Sequence, residues 1–197
     1  MAEKEAKHFI KANIWGEVVD IKAKTSKAGS YVDVTVACMG QANGSVNAFI
    51  RIWKERGDKF YDELNESDGQ TFYHFQGVMS QYDTDDGLFT NFVAFQWSNM
   101  QKGEQDPRAA FVCLGVVKEI KGDYFSLEVT KDKDGKPETV LLHLWVLNSV
   151  DRKSIEPGTI LKAKGYLRPL NAMDEYGESS GPIRPYVKEI ELLETPF

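Results

Sequence analysis

Residues 45–53 combine aromatic and basic side chains that can stack on flat rings and hold a phosphate. Because successive residues of a strand face opposite sides, one face of this segment is apolar and the other carries Phe49, Arg51 and Trp53. Aromatic rings stack on any nucleobase, and an arginine holds phosphate or stacks in turn. The same row could instead pack under the helix that follows or in a protein interface, so both interpretations stay open here.

A second row of this kind lies in residues 159–168. Its apolar residues predict one core face, and the other face carries Lys162, Lys164, Tyr166 and Arg168. Three cations on one strand face form a local basic stripe, although the 197-residue chain has a formal net charge of −6. That net charge does not by itself exclude a nucleic-acid ligand, because a ligand feels the local arrangement of charge.

Residues beside these rows complete the predicted binding surface. Tyr31 faces outward next to the aromatic row, and Lys24 and Lys27 lie in a predicted loop, for which an ordinary solvated loop is the alternative. His143 and Trp145 repeat the arginine and tryptophan positions in the second half of the chain. The candidate nucleic-acid-binding residues are Lys24, Lys27, Tyr31, Phe49, Arg51, Trp53, His143, Trp145, Lys162, Lys164, Tyr166 and Arg168.

The chain contains an internal repeat. Residues 14–22 match residues 113–121, with glycine, valine, isoleucine and lysine in the same columns. Three shorter matches follow in the same order: 50–53 with 142–145, 77–79 with 165–167, and 92–93 with 186–187. The repeat predicts a duplicated β module of about 90 residues, a usual domain size. We therefore expect an N-terminal domain at 1–100, a linker at 101–109 and a C-terminal domain at 110–197.

Each copy predicts three strands, a short helix and two more strands. In the first copy the strands are predicted at 10–22, 31–39, 45–53, 71–81 and 88–97, with the helix at 54–65. In the second they are predicted at 111–121, 124–131, 139–147, 159–168 and 184–193, with a helical segment at 149–155.

This order of elements resembles the OB-fold, a five-stranded, partly open barrel. The fold binds ligands through its second and third strands and its first and last hairpin loops. The expected class is all-β, mainly antiparallel, with two tandem OB-fold barrels that each have a short helix between the third and fourth strands. Other small barrels and sandwiches can follow the same order of elements.

The sequence has no recognisable motif for catalysis or metal binding. It lacks a Walker loop, a nucleophile elbow and paired-cysteine metal spacing, and its three histidines are scattered. Acidic segments at 83–87 and 132–135 do not continue to the glutamate that completes a calcium loop, and turn chemistry explains them. We therefore expect a protein that is not an enzyme and that needs no cofactor and no metal.

The sequence also predicts a cytoplasmic protein without a membrane partner. No stretch approaches 18 consecutive apolar residues, and the charged segment 1–11 lacks the apolar core of a signal peptide. Cys38 and Cys113 lie in apolar, strand-like segments, which favours small core residues over a disulfide.

The chain resembles the single-stranded DNA-binding proteins of bacteria and their phages. The OB-fold layout and the aromatic and basic strand faces carry the resemblance, together with an acidic C-terminal segment that ends in Pro196 and Phe197. In the bacterial family such an ending docks onto partner proteins. Here the acidic residues alternate with apolar ones as in a strand, no long Gly/Gln-rich linker precedes them, and the chain has two copies of the barrel rather than one.

The resemblance implies non-catalytic, largely sequence-independent binding of single-stranded DNA in replication, recombination or repair. The candidate partners are single-stranded DNA, replication or recombination proteins that would dock at Pro196 and Phe197, and a second copy of the chain. The alternative is an OB-fold module for protein interaction or assembly that does not bind nucleic acid. In that case Phe49, Trp53 and Trp145 would be interface anchors.

Overall fold

The computed structural model describes residues 8–39, 45–67, 69–85, 87–104, 108–133, 136–147, 150–152, 155–169 and 183–193. The first five strands are β1 Phe9–Ser26, β2 Gly29–Met39, β3 Ser45–Trp53, β4 Phe72–Thr84 and β5 Gly87–Asn99. Helix α1 spans Lys54–Glu66, between β3 and β4. The other strands are β6 Arg108–Lys121, β7 Tyr124–Lys133, β8 Lys136–Val146, β9 Ile160–Pro169 and β10 Ile183–Leu193.

These elements belong to two compact units. The first unit is built on Ala12–Ala110 and contains β2 to β5, α1 and most of β1. The second is built on Phe111–Tyr166 together with most of β10. The domain limits expected from the sequence stay a prediction, and β6 begins at Arg108, inside the expected linker.

The five strands of the first unit close into a ring. β1 pairs antiparallel with both β2 and β4, β2 pairs antiparallel with β3, and β4 pairs antiparallel with β5. A parallel pairing between β3 and β5 closes the ring. This confirms the predicted all-β, mainly antiparallel, OB-fold-like barrel.

The second unit repeats the ring with its own five strands. β7 pairs antiparallel with β6 and with β8, and β8 pairs parallel with β10. β9 lies beside both β10 and β6 and completes the circle. The order of strands around the two rings is the same once each strand is replaced by its counterpart in the sequence repeat.

The alternation of apolar and polar residues correctly predicts which side chains form the barrel cores. Apolar residues at every second position of β2, β3 and β9 are buried, with exposed fractions of 3% or less. They are Val32, Val34, Val36, Val46, Ala48, Ile50, Ile52, Leu161, Ala163 and Leu167. Their neighbours along each strand are therefore left on the outside of the barrels.

Helix α1 is fixed to the first unit by one fully buried aromatic residue. The ring of Phe60 contacts Tyr73, Phe75 and Trp97 edge-on, with centroid distances of 5.2, 5.3 and 5.3 Å. The helix thus packs on residues of β4 and β5, and it follows β3 directly through Lys54, which has φ of 55°.

The predicted loop at 24–30 is mostly strand. Lys24 pairs with Tyr31, and the strands continue to a turn of two residues, Lys27 and Ala28. Gly29, with φ of 121°, takes a conformation that favours glycine. The Ser26 hydroxyl stabilises the turn by accepting from the Ala28 amide at 3.2 Å. The hairpin is therefore longer and more ordered than its Ser- and Gly-containing sequence indicates.

The helical segment predicted at 149–155 is not seen in the described part of that connection. Residues 150–152 and 155–159 form bends and isolated turns, held by single hydrogen bonds such as Ile155 N–H to the Arg152 carbonyl at 3.1 Å. A proline and a glycine follow at once, which leaves little room for a helix to extend. The sequence also predicts an Asn-Gly turn at 41–44, which lies outside the described residues, as does the ending Pro196 and Phe197. Of the loop that it predicts at 169–181, only Pro169 is described, as the last residue of β9.

Two pairs of repeat-related glycines allow the strands to approach each other closely. A side chain at Gly16 would collide with the carbonyl oxygen of Ala37, and one at Gly115 with that of Glu128. Both glycines precede a β-bulge at the corresponding place in β1 and β6. The second pair, Gly77 and Gly165, similarly faces carbonyl oxygens of β5 and β10.

We expect Gly16→Ala to destabilise the first unit by at least about 3 kcal/mol, because a methyl group would displace backbone of the neighbouring strand. Gly103→Ala is the matched control, since Gly103 has φ of 90° but open space around it. It should cost only about 1 kcal/mol of backbone strain. Urea unfolding followed by circular dichroism measures both. Equal unfolding midpoints for the two variants would contradict the close approach at Gly16.

Candidate nucleic-acid interface

A groove of about 310 Å³ runs over the outside of the first barrel. Its lining includes outward-facing residues of all five strands of that unit. They are Asp20, Lys22, Lys24, Asp33, Thr35, Phe49, Arg51, Tyr82, Phe89 and Asn91. The groove thus contains the second and third strands and lies beside both hairpins, which is the face through which an OB-fold binds.

Arg51 lies at one side of this groove and is held from several directions. The β2–β3 register places Asp33 opposite Arg51 and Tyr31 opposite Trp53. Arg51 Nε donates to Asp33 Oδ1 at 2.8 Å and Nη2 donates to Oδ2 at 3.3 Å. The guanidinium carbon lies 4.1 Å from the Tyr31 ring centroid and 5.5 Å from that of Trp53. The arginine is therefore oriented before any ligand arrives.

Lys24 shares the same carboxylate. Its Nζ lies 3.0 Å from Asp33 Oδ2, so two cations converge on one acidic side chain. Partial burial acts to raise the pKa of Asp33, but the hydrogen bonds from Arg51 and Lys24 outweigh it and hold that pKa below its usual value. The same hydrogen bonds raise the pKa of Arg51 and of Lys24. All three groups are consequently charged at neutral pH.

A cluster of three aromatic residues forms the other side of the groove. The ring centroids of Phe49 and Phe89 are 5.6 Å apart, and those of Tyr82 and Phe89 are 5.3 Å apart. Phe49 is 39% exposed and Tyr82 is 44% exposed. Phe49 therefore does not pack under α1, as one interpretation of the Phe49, Arg51 and Trp53 row would require. Its ring remains accessible to a ligand.

Tyr82 and Phe89 are site residues that the sequence reasoning missed. They pair with each other across the hairpin of β4 and β5, on either side of the acidic turn at 83–87. The signal was available, because both residues flank the last hairpin of the first copy, where an OB-fold contacts its ligands. Lys27, by contrast, lies exposed in the β1–β2 turn and not in the groove lining.

The second unit has the same cross-strand pairs with different chemistry. Tyr124 lies opposite Trp145 and Ser126 opposite His143, in the register of Tyr31 with Trp53 and Asp33 with Arg51. The Tyr124 and Trp145 ring centroids are 5.3 Å apart. His143 Nδ1 lies 3.0 Å from the Ser126 hydroxyl. Trp145 is only 7% exposed, so its ring is mostly taken up by packing.

The predicted basic stripe on β9 is offset by carboxylates of β10. Lys162 Nζ lies 2.9 Å from Glu191 Oε2, and Lys164 Nζ lies 2.7 Å from Glu189 Oε1. Lys188 of β10 donates to the Tyr166 hydroxyl at 3.4 Å. These acidic residues belong to a strand rather than to a separate acidic tail. Lys162 and Lys164 therefore form ion pairs and not a free basic surface. The side chain of Arg168, the third cation of the stripe, lies outside the described part of the structure.

Among the described residues, no three histidine, cysteine or acidic side chains are placed to hold a metal ion. Of the helical structure that is described, none has the length and apolar character needed to cross a bilayer.

Two solved structures are similar to this chain along nearly its whole length. The wild-type single-stranded DNA binding protein from Thermus aquaticus matches with a TM-score of 0.65 and 12% identity, over 97% of this chain and 96% of that one. A deletion mutant of that protein matches with a TM-score of 0.64 and 10% identity, over 98% of both chains. No protein-family model and no curated protein matches the sequence. At such low identity the likeness shows a shared fold.

We expect the stability contributed by Asp33 to depend on pH in the acid range. The pKa of Asp33 is lower in the folded protein than its ordinary value of about 3.9. The ionised carboxylate therefore stabilises the fold fully above that ordinary value. This stabilisation is lost as the pH falls through the lowered pKa of the folded state. The melting-temperature difference between the native protein and Asp33→Asn should therefore be constant near neutral pH and narrow below about pH 4. A difference that does not change on acidification would contradict the ion-pair network.

Proposed function

We propose that this protein binds single-stranded DNA without catalysis, mainly through the outer groove of its first barrel. The observation that carries the proposal is Arg51, a cation held 4.1 Å from the Tyr31 ring and also close to Trp53, in one groove with the exposed Phe49. The fold shared with a single-stranded DNA binding protein supports the same function.

The spacing of the outward residues suits a chain-like ligand. Alternate residues of a strand lie about 7 Å apart, so Phe49, Arg51 and Trp53 provide contacts over about 14 Å along β3. An extended strand of nucleotides presents bases and phosphates in turn. Stacking contributes about 1–3 kcal/mol per base and does not select a sequence, while Arg51 and Lys24 hold the backbone. Binding should therefore be nearly blind to sequence and weaken as salt rises.

The second barrel takes a smaller part in this proposal. Tyr124, Trp145 and His143 retain the cross-strand pairs of the first site, but Trp145 is buried, which leaves little ring surface for stacking. This suggests that the first barrel provides most of the stacking contacts.

The wider setting follows from the resemblance of the sequence to bacterial and phage single-stranded DNA-binding proteins. We propose a cytoplasmic role in replication, recombination or repair, with two tandem barrels per chain. Partner proteins would dock at the ending Pro196 and Phe197, and a second copy of the chain is a further candidate partner. The alternative function is a protein-interaction module that does not bind nucleic acid. A partner protein retrieved by pull-down after nuclease treatment, together with no binding of oligonucleotides, would favour that alternative.

Arg51→Ala should weaken binding of fluorescent oligo(dT) by about tenfold or more, since a phosphate contact worth about 1.4 kcal/mol is lost and the Asp33 charge is left in the groove. Arg56→Ala is the matched control, because it removes the same kind of charge from the exposed side of α1, outside this groove. Fluorescence anisotropy at low salt measures both. If the two variants bind equally well, Arg51 does not contact the ligand, and if the native protein binds no oligo(dT), the proposed function is wrong.

Phe89→Ala should also weaken oligo(dT) binding, by about 1–3 kcal/mol, because it removes the ring that supports Phe49 and Tyr82 for stacking. The control is Phe95→Ala, which truncates a phenylalanine of the same strand that is 45% exposed but does not line the groove. Oligonucleotides of mixed sequence should show the same loss as oligo(dT). A loss confined to one base composition would argue for sequence readout instead of stacking.

A further inference from the structure

Two of the three cations that line the groove, Arg51 and Lys24, are already bound to one carboxylate of the protein itself. Arg51 contacts both carboxylate oxygens of Asp33, and Lys24 contacts one of them. The Asp33 side chain is 28% exposed, so it faces the groove rather than the core. A carboxylate in this place presents oxygens to the two cations much as a backbone phosphate would.

A phosphate can therefore reach these cations fully only if Asp33 gives up its contacts. Arginine binds carboxylate and phosphate through the same planar set of N–H donors, and Asp33 occupies the two-pronged Nε and Nη2 side of that set. Arg51 does not depend on Asp33 alone for its position, because the rings of Tyr31 and Trp53 also hold it. Removing the carboxylate would thus leave the cation in place and available.

We propose that Asp33 is an internal competitor of phosphate in this groove, which a backbone phosphate displaces from Arg51 and Lys24 when nucleic acid binds. This inference rests on the proposed function and adds a residue that sets its affinity. In the free protein Asp33 keeps the groove close to neutral. In the complex it is left as an unpaired negative charge that opposes the ligand.

The exchange has a consequence for salt dependence. Nucleic-acid binding releases counterions from each phosphate that is neutralised. An unpaired Asp33 would gather a cation on binding and so offset part of that release. The plot of log affinity against log salt is therefore less steep in the native protein than in a variant without the carboxylate, by up to about one unit. A residue with a purely structural role would not change this slope.

The test compares Asp33→Asn with Asp62→Asn. Asp62 is an exposed residue of α1 that does not line the groove. Both substitutions remove one negative charge from the first unit, and only Asp33→Asn frees Arg51 and Lys24. We expect Asp33→Asn to bind oligo(dT) at least about fivefold more tightly with a steeper salt slope, and Asp62→Asn to change affinity by less than about twofold.

Asp33→Ser is a second variant, which takes the residue that the second unit has at the same register position, Ser126. It should show the same gain as Asp33→Asn, and melting temperatures confirm that each variant is folded. The inference is overturned if the native protein binds oligo(dT) but the Asp33 variants bind no more tightly, or if Asp62→Asn gains as much. If neither the native protein nor any variant binds, the proposed function falls together with this inference.

Discussion

The pairing of β2 with β3 is the constraint on which the candidate site depends. In this register Tyr31 meets Trp53 and Asp33 meets Arg51, while the residues between them are buried in the barrel. A slip of one residue would turn every side chain of a strand to the other face, which would bury the arginine and expose Ile50 and Ile52. The apolar stripes of the two strands therefore fix the register, and the register assembles the site. The alternation of apolar and polar residues along β2 and β3 therefore determines both which side chains are buried and which line the candidate site.

The repeat shows that one scaffold can keep this geometry and change its charge. The second unit retains the tyrosine and tryptophan pair but has Ser126 and His143 where the first has Asp33 and Arg51. An arginine presents a permanent charge and a planar fork of five N–H donors, whereas a histidine offers only two ring nitrogens. The two faces thus differ in the kind of ligand contact that they can make, although closely related rings of strands support them. The glycines that permit close strand approach are shared, because they serve the barrel rather than the ligand.

Most of the fold could be predicted from the sequence because each strand carries its own local signal. Alternation identified the apolar faces of β3 and β9 and therefore the outward rows that contain Arg51 and Lys162. Contacts between strands distant in sequence were not predictable in this way. Glu191 lies 29 positions from Lys162, and only the position of β10 beside β9 reveals that the pair exists. The contact of Phe89 with Phe49 was not predictable for the same reason, since the barrel has to close before β5 lies beside β3. The helical segment predicted at 149–155 rested on a weak signal, and Pro157 and Gly158 follow it closely.

The net charge of −6 is compatible with a polyanion as ligand once the pairing of charges is considered. In the described first unit, the lysines and the arginine that line the groove each lie beside a carboxylate, Asp20 or Asp33. Long-range attraction of a polyanion is weak under these conditions, because opposite charges a few ångströms apart nearly cancel at a distance. In the proposed complex the balance differs, since a multivalent backbone would replace the carboxylates as partner of the cations while exposed rings such as that of Phe49 would receive the bases. In such a site stacking is the first requirement for binding, and the cations contribute only after they exchange partners.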